Sequence, residues 1–337
     1  RPLFNMTALP QNRLIEMIDA AYVEKESEQK PRGYLGASVI GHPCERFLWY
    51  QFRWIGRETF QGRILRLFKR GHREEDYAIG DLRAAGCVIQ ETNPETGRQW
   101  NFFSSGFGGS CDGIILSGVP EAPEKKHVLE IKTHSKKSFD DLIAKGVQAS
   151  KPQHYAQMQV YMAAFDIDRA LYFAVCKDDD RIYTERLRYS RTEAERLIAR
   201  GHRIALADRM PEPLSSNPSW YECKFCAAHD FCHGSKKTKE VNCRTCAHST
   251  AEPSTPDQDA HWTCARFDRS VIPIETQYTG CDSHVLHPDL VPWQRLEGPD
   301  AWTAIYVIDG REVANGEGDA NVYASRELLN LDGRIVA

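Results

Sequence analysis

The sequence predicts an α/β fold, a mixed central sheet flanked by helices, with a small cysteine-rich metal-binding module toward the carboxy-terminal end. Three observations predict it. Apolar residues recur at helical spacing through about residue 85. Strand-like and helical runs then follow one another to about residue 208, as in α/β cores. Beyond residue 220 the cysteines crowd together.

In chain order, residues 11–24 place Leu14, Ile15, Ile18, Ala21 and Val23 at the spacing of an amphipathic helix. Gly41-His42-Pro43-Cys44 reads as a loop that opens a short aromatic helix through Phe47, Leu48, Trp49, Tyr50 and Phe52. A longer helix is expected over 60–85, burying Ile64, Leu65, Leu67, Phe68, Tyr77 and Leu82, with Gly86 as its stop. Strand-like runs follow at 87–91, 99–104, 110–116 and 127–133, separated by Asn-, Pro- and Gly-rich turns. Helices are expected over 138–145 and 152–165, the second with Pro152 in its first turn. Strands at 169–176 and 182–188 and a helix over 192–208 complete the core. Near the end, 304–308 alternates apolar residues, turns at Asp309-Gly310 and resumes at Glu312-Val313, a hairpin pattern. These elements divide the chain into a core domain over 1–236, a metal-binding module over 237–290 and a hairpin-containing tail over 291–337.

A chain of 337 residues with 41% hydrophobic and 27% charged residues can bury a full core. No apolar run is long enough for a membrane helix, and the start lacks the pattern of a secretory signal, so a cytoplasmic protein is expected. The formal net charge of -4 does not by itself favour a polyanionic partner. Its distribution says more: Arg46, Arg53, Arg57, Arg63, Arg66, Lys69, Arg70 and Arg73 stand against only Glu45 and Glu58. Such a stripe can track phosphates, although a solvated helix face has the same composition.

Asp112 and the run Val128-Leu129-Glu130-Ile131-Lys132 carry the chemistry. On a strand, residues two apart share a face, so Glu130 and Lys132 point into one cleft while Leu129 and Ile131 enter the core. Two carboxylates and a lysine supply hard oxygen ligands for a divalent cation and a group to orient water, the requirements of phosphodiester hydrolysis. Alone the triplet is weak, because Glu-x-Lys or Asp-x-Lys arises by chance roughly once or twice in such a chain. Gly71-His72-Arg73-Glu74-Glu75 adds a carboxylate, Glu75, on a helix whose Gly71 permits close approach. Gln153, Gln157 and Tyr161 recur at helical spacing, amides and a phenol suited to hydrogen-bonding a phosphate or orienting Lys132.

Cys223-x2-Cys226-x5-Cys232 is compact, and thiolates this close in a cytosolic chain suggest a metal. Cys44 is the candidate fourth ligand, and four cysteines suit a 4Fe-4S cluster or a zinc ion. Cys243-x2-Cys246 with Cys264 and Cys281 has the intervals of a zinc site, with His248, His261 and His284 as possible substitutes. Cys87, Cys111 and Cys176 fall in strand-like runs and are expected in the core.

Together these motifs resemble the PD-(D/E)xK nuclease superfamily, specifically its RecB-like branch. Asp112, Glu130 and Lys132 match the defining motif, Gly71 through Glu75 resembles the upstream helix motif, and Gln157-x3-Tyr161 the downstream one. Cys44 with Cys223, Cys226 and Cys232 looks like the iron–sulfur clasp of CRISPR-associated RecB-like exonucleases and AddB-type nucleases. Many RecB-like members carry histidine where this chain has Glu75. The absence of Gly-x4-Gly-Lys-Ser/Thr suggests a stand-alone nuclease of phage or accessory type rather than part of a motor.

The resemblance implies a restriction-endonuclease-like core closed by a 4Fe-4S clasp, with Zn2+ in the second cysteine group. It implies Mg2+ or Mn2+ held by Glu75, Asp112, Glu130 and the Ile131 carbonyl, Lys132 orienting water, and Gln157 and Tyr161 positioning the strand. The implied activity is a DNA exonuclease leaving 5'-phosphates, acting in repair, recombination or phage replication. A single-strand or structure-specific endonuclease and a catalytically inactive DNA-binding adaptor are the alternatives. DNA contacts are expected from Arg46, Arg53, Arg63, Arg66, Arg70, Arg73 and Gln153, and the carboxy-terminal module is a possible protein contact.

Overall fold

The computed structural model describes residues 13–56, 59–234, 236–318 and 320–330, so Arg57, Glu58 and the first residues of the expected amino-terminal helix lie outside the described residues. The chain opens with α1 (Arg13–Ser27), a short β1 (Leu35–Gly36), α2 (Glu45–Phe52) and α3 (Gly62–Ala84). Strands β2 (Val88–Gln90), β3 (Asn101–Ser104), β4 (Phe107–Ser110), β5 (Gly113–Ser117) and β6 (His127–His134) follow. Then come α4 (Lys136–Ser150), α5 (Pro152–Phe165), β7 (Arg169–Cys176), β8 (Ile182–Arg188) and α6 (Arg191–Ala205).

The central sheet has the order β2-β5-β6-β7-β8. Only β6 and β7 run parallel, across the α4–α5 crossover, and every other pairing is antiparallel. This is the mixed sheet that the periodicity predicts. Period-two side chains divide it cleanly: Leu129, Ile131, Leu171 and Phe173 pack with Ala78, Ile79 and Leu82 of α3. Val128, Ala170, Tyr172 and Ala174 face the opposite core with Met158 and Tyr161 of α5.

Helix ends follow local chemistry. Cys44 caps α2 by accepting from the Phe47 N–H at 3.4 Å. Pro152 occupies the first turn of α5, and Asp166 ends it in the left-handed conformation. Gly86, with φ 97°, stops α3 as expected.

Three expectations need correction. The single strand expected over 110–116 is two strands in different sheets: β4 joins β1 and β3, β5 joins the central sheet, and Cys111-Asp112 form the corner. The ladder is interrupted because the Asp112 side chain, rather than a strand carbonyl, takes up the Ile131 N–H. Second, α1 has no buried residue, and Leu67, Phe68 and Tyr77 of α3 are exposed. Only the carboxy-terminal half of α3 lies on the sheet, whereas its first half packs on α1. Third, Gly71 is not a close approach. A Cβ there would stand 3.9 Å from Thr133 Oγ1, an ordinary contact. A tight approach beside the Asp112 corner is at Gly109, where a Cβ would fall 2.9 Å from Tyr161 Oη.

Beyond the core, α7 (Tyr221–Lys224) and α8 (His229–Cys232) carry the first cysteine group. In the second group, Cys243 and Cys246 sit at a 3-10 turn before a small antiparallel sheet of β9 (Ser249–Glu252), β10 (His261–Cys264) and β11 (Ser270–Val271), Cys264 ends β10, and Cys281 follows α9 (Ile274–Thr279). The hairpin forms as β13 (Ala304–Ile308) and β14 (Arg311–Asn315), flanked by β12 (Gln294–Leu296) and β15 (Val322–Tyr323), with α10 (Ser325–Asn330) after it. Trp262, Ile272 and Leu290 join the same buried cluster as α2 and α5.

Two arginines fasten this joint. Arg244 donates to the Phe52 carbonyl at 2.9 Å, the Gly33 carbonyl at 2.7 Å and Gln277 Oε1 at 3.1 Å. Its guanidinium lies 3.8 Å from the Trp54 ring centroid and 5.0 Å from that of Trp262. Arg53 donates to the carbonyls of Ala207 and Arg244 at 2.9 and 3.2 Å. Burial pulls the Arg53 guanidinium down to about 10 and that of Arg244 to about 9. Carbonyl acceptors and aromatic faces are how a cation is tolerated in such a place.

Candidate active site

Asp112, Glu130 and Lys132 come together from the β4–β5 corner and the middle of β6. Asp112 Oδ2 accepts from the Ile131 N–H at 2.6 Å, which fixes the carboxylate beside the Ile131 peptide. Lys132 Nζ donates to Glu130 Oε1. Glu130 is 1% exposed, and its other oxygen, Oε2, is buried without a hydrogen-bond partner among the described residues. That orphaned acceptor, beside a second carboxylate, fits a divalent cation.

Electrostatics point the same way. Burial, with Asp112 and Glu75 adding repulsion, pushes Glu130 up to about 7 although Lys132 opposes the shift. Burial also raises Asp112, against the pull of Lys132 and the Ile131 N–H. Glu75, on α3, is raised by burial and then by repulsion from Asp112. His72 sits 3.4 Å from Glu75 and partly offsets the shift. For Lys132, burial pulls down, but Glu130, Asp112 and Glu75 outweigh it and the ammonium is raised. Three carboxylates, each raised above its ordinary range around one lysine, describe a site short of positive charge.

Gln157 and Tyr161 are buried, 4% and 1% exposed. Tyr161 Oη donates to the Ser110 carbonyl at 2.7 Å, and Gln157 Nε2 donates to Tyr161 Oη at 3.1 Å. These side chains hold the corner that carries Asp112, and they do not line an open groove as the helical stripe suggested. Gln153 is half-buried at the start of the same helix.

Sequence reasoning missed a polar cluster on the same sheet face. His134, two residues beyond Lys132, and His154, three before Gln157, both contact Tyr172 Oη at 2.8 Å. Tyr172 is the register partner of Glu130 across the β6–β7 pair. Burial, with Lys132 and Lys151 adding repulsion, lowers His134 to about 4 and His154 to about 3. The period-two alternation Glu130, Lys132, His134 was the signal available.

The expected DNA contacts divide. Arg63 and Arg73 are exposed. Arg66 pairs with Asp19, and Arg70 donates to the Lys177 carbonyl at 3.0 Å and pairs with Glu74 at 3.5 Å. Arg46 is tied to the Pro211 carbonyl at 2.8 Å and to Cys232 Sγ at 3.5 Å. Arg53, 1% exposed, belongs to the internal joint and cannot meet a ligand.

Cys44, Cys223, Cys226 and Cys232 line one small cavity. Cys226 Sγ accepts from the Ala228 N–H at 3.4 Å, and Cys246 Sγ from the His248 N–H at 3.4 Å, the same two-residue knuckle in both groups. Burial pushes Cys243 up to about 12, with Cys246, Cys281 and Cys264 adding to it, and burial pushes Cys246 up to about 11. Mutually destabilised thiolates with N–H donors aimed at sulfur suit a cation. Among the described residues no three or more His, Cys, Asp or Glu side chains are drawn close enough to hold an ion without adjustment. His284 is committed elsewhere: Nδ1 meets Ser325 Oγ at 2.8 Å, and Nε2 meets the Asn242 carbonyl at 3.0 Å and Thr245 Oγ1 at 3.1 Å. Among the described residues, no helix is long and apolar enough to cross a membrane.

No protein-family model matches the chain, and no curated protein matches its sequence. Among solved structures, the chain is similar to LHK-Exo, an alkaline exonuclease from Laribacter hongkongensis, and to LHK-Exo in complex with dAMP. In both, identity is 18%, the TM-score is 0.38, and 56% of this chain and 90% of the other are covered. It is also similar to SSO0001, at 17% identity and a TM-score of 0.39, over 66% of this chain and 98% of the other. These likenesses are distant, below the level at which a shared fold follows.

Proposed function

We propose that this chain is a divalent-metal-dependent deoxyribonuclease, an exonuclease that leaves 5'-phosphate ends. The observation that carries the reading is the placement of Asp112 beside the Glu130–Lys132 pair, with Glu130 Oε2 buried and without a partner among the described residues and the charge of Glu75 bearing on the same group. Asp112, Glu130, Glu75 and the Ile131 carbonyl would hold Mg2+ or Mn2+, which supplies Lewis-acid stabilisation of charge on the phosphoryl and leaving oxygens. Lys132 holds Glu130 in place and presents an N–H donor to orient an attacking water. Tyr161 and Gln157 keep the Asp112 corner fixed through the Ser110 carbonyl.

Cys44, Cys223, Cys226 and Cys232 are proposed to hold a 4Fe-4S cluster, and Cys243, Cys246, Cys264 and Cys281 a zinc ion. Supporting this are the shared cavity of the first group and the raised thiols of the second. Iron analysis of anaerobically purified protein tests the first assignment, and Cys226→Ala should lose that iron. Zinc in place of iron in the wild type would contradict it. End-labelled linear and circular DNA, with and without Mg2+, test the activity: loss of linear DNA alone supports an exonuclease, and cut circles indicate an endonuclease.

A further inference from the structure

A cleft of about 290 Å³ lies well away in sequence from the acidic site, between α2 and the segment leading into the second cysteine group. Phe47 and Phe231, both half-buried, contribute aromatic surface over the buried Tyr50, and Lys236, Lys237 and Lys239 line it against one carboxylate, Glu240. In a chain of net charge -4, this is a local reversal of sign.

The basic segment is anchored in place. Between the lysines, Thr238 is fully buried, and its hydroxyl donates to the Ile55 carbonyl at 2.5 Å while accepting from the Glu240 N–H at 3.0 Å. The Lys236 N–H donates to the Asp230 carbonyl at 3.2 Å. With Thr238 turned inward, Lys236 and Lys239 on either side of it are exposed, whereas Lys237 is half-buried with its ammonium 4.9 Å from the Trp293 ring centroid. Lys236 Nζ stands 4.5 Å from the Phe231 ring centroid. Lys236 and Lys239 are exposed and have no salt bridge among the described residues.

Cations carried on an anchored backbone beside aromatic rings are features that bind single-stranded nucleic acid, the cations meeting phosphates and the rings meeting base faces. From this arrangement we propose that the cleft is a second binding site for a single strand of nucleic acid, outside the acidic centre. The proposal rests on the nuclease reading for its choice of partner. It assigns the cleft the task of holding a stretch of strand that does not react, so that long substrates are retained between cleavage events.

The test compares the full chain with its Lys236→Glu/Lys239→Glu variant on oligothymidylates of about twenty and about five residues, the shorter near the lower site size of single-strand binders. Affinity is measured in EDTA, and turnover in Mg2+. The variant should bind the long strand at least about tenfold more weakly, and its log–log salt slope should shrink by about 1.4, the expectation for two phosphate contacts on a single strand. Turnover of the short strand should be unchanged. Unaltered long-strand affinity would overturn the proposal, as would equal losses on the long and short strands. Lysine-dependent binding by a wild type that hydrolyses neither strand would uphold the cleft and refute the nuclease reading, so the two fail separately.

Discussion

The Ile131 N–H donates to Asp112 Oδ2 at 2.6 Å, so a carboxylate from the β4–β5 corner occupies the place of a strand carbonyl beside β6. This one contact sets Asp112 next to Glu130 and turns a break in the ladder into the proposed cation site. Asn at position 112 retains an oxygen that can accept from the same N–H. Asp112→Asn should therefore keep the fold, lose metal-dependent cleavage by at least about a hundredfold, and let Glu130 ionise more easily because a neighbouring negative charge is gone. Activity assays and a carboxyl titration of Glu130 by NMR check both parts. An unchanged Glu130 would refute the electrostatic coupling.

Metal binding should release protons. Glu130, held up to about 7 in the metal-free protein, must be ionised to act as a ligand. Mn2+ affinity is expected to rise from pH 5.5 to about 7 and level off above it. Calorimetry in two buffers of different ionisation enthalpy reads the proton release directly, and its absence at pH 6 would contradict the assignment.

Without metal, Glu130 and the two histidines pull stability in opposite directions. A glutamate raised from 4.5 to about 7 binds more protons folded than unfolded, so its contribution weakens as pH rises across that interval. His134 and His154, lowered from 6.5 to about 4 and 3, bind fewer protons folded. Their stability is fully present above 6.5 and is lost as pH falls toward 4. In EDTA, Glu130→Gln should remove the first slope and leave the second, as chemical denaturation across pH would show.

Tyr172 has one hydroxyl proton for two imidazoles at 2.8 Å, so it donates to one ring and accepts from the other. Tyr172→Phe removes the partner of two ring nitrogens, His134 Nε2 and His154 Nδ1, and should cost about 1–3 kcal/mol. A stability equal to wild type would show that the cluster is dispensable.

Arg244→Ala should be among the most damaging single changes outside the acidic site. It strips two buried acceptors and one half-buried acceptor of their donor at once, and leaving them unpaired costs on the order of 3–5 kcal/mol. Denaturant midpoints of the wild type and variant decide this, and a shift under about 1 kcal/mol would contradict the role of Arg244 as the joint.

Much of the core was legible in the sequence for simple physical reasons. Strong periodicity placed 152–165 and 169–176 on a helix and a strand with the bounds that the structure has. Period-two alternation sent Leu129 and Ile131 to one side of β6 and Glu130 and Lys132 to the other. What it did not show was tertiary. Arg53 reads as part of a basic stripe, yet two tryptophans distant in sequence from one another, Trp49 and Trp262, enclose it. Leu67 and Phe68 have a core pattern, but among the described residues they stay exposed, Phe68 edge-on to the Phe60 ring. The corner at Cys111-Asp112 was hidden because its cause, the Ile131 N–H, lies on another strand.

The central claim is that Lys132 and its carboxylates form a metal-dependent phosphodiesterase centre, and the most direct measurement is cleavage of 3'-labelled linear DNA by anaerobically purified wild type and Lys132→Ala, in EDTA and in Mg2+. The account predicts 5'-phosphorylated products from the wild type in Mg2+ only, none from the variant, and a variant that remains folded because Glu130 takes up a proton once its ammonium partner is gone. A folded variant that cuts at the wild-type rate, or cleavage that persists in EDTA, would contradict it.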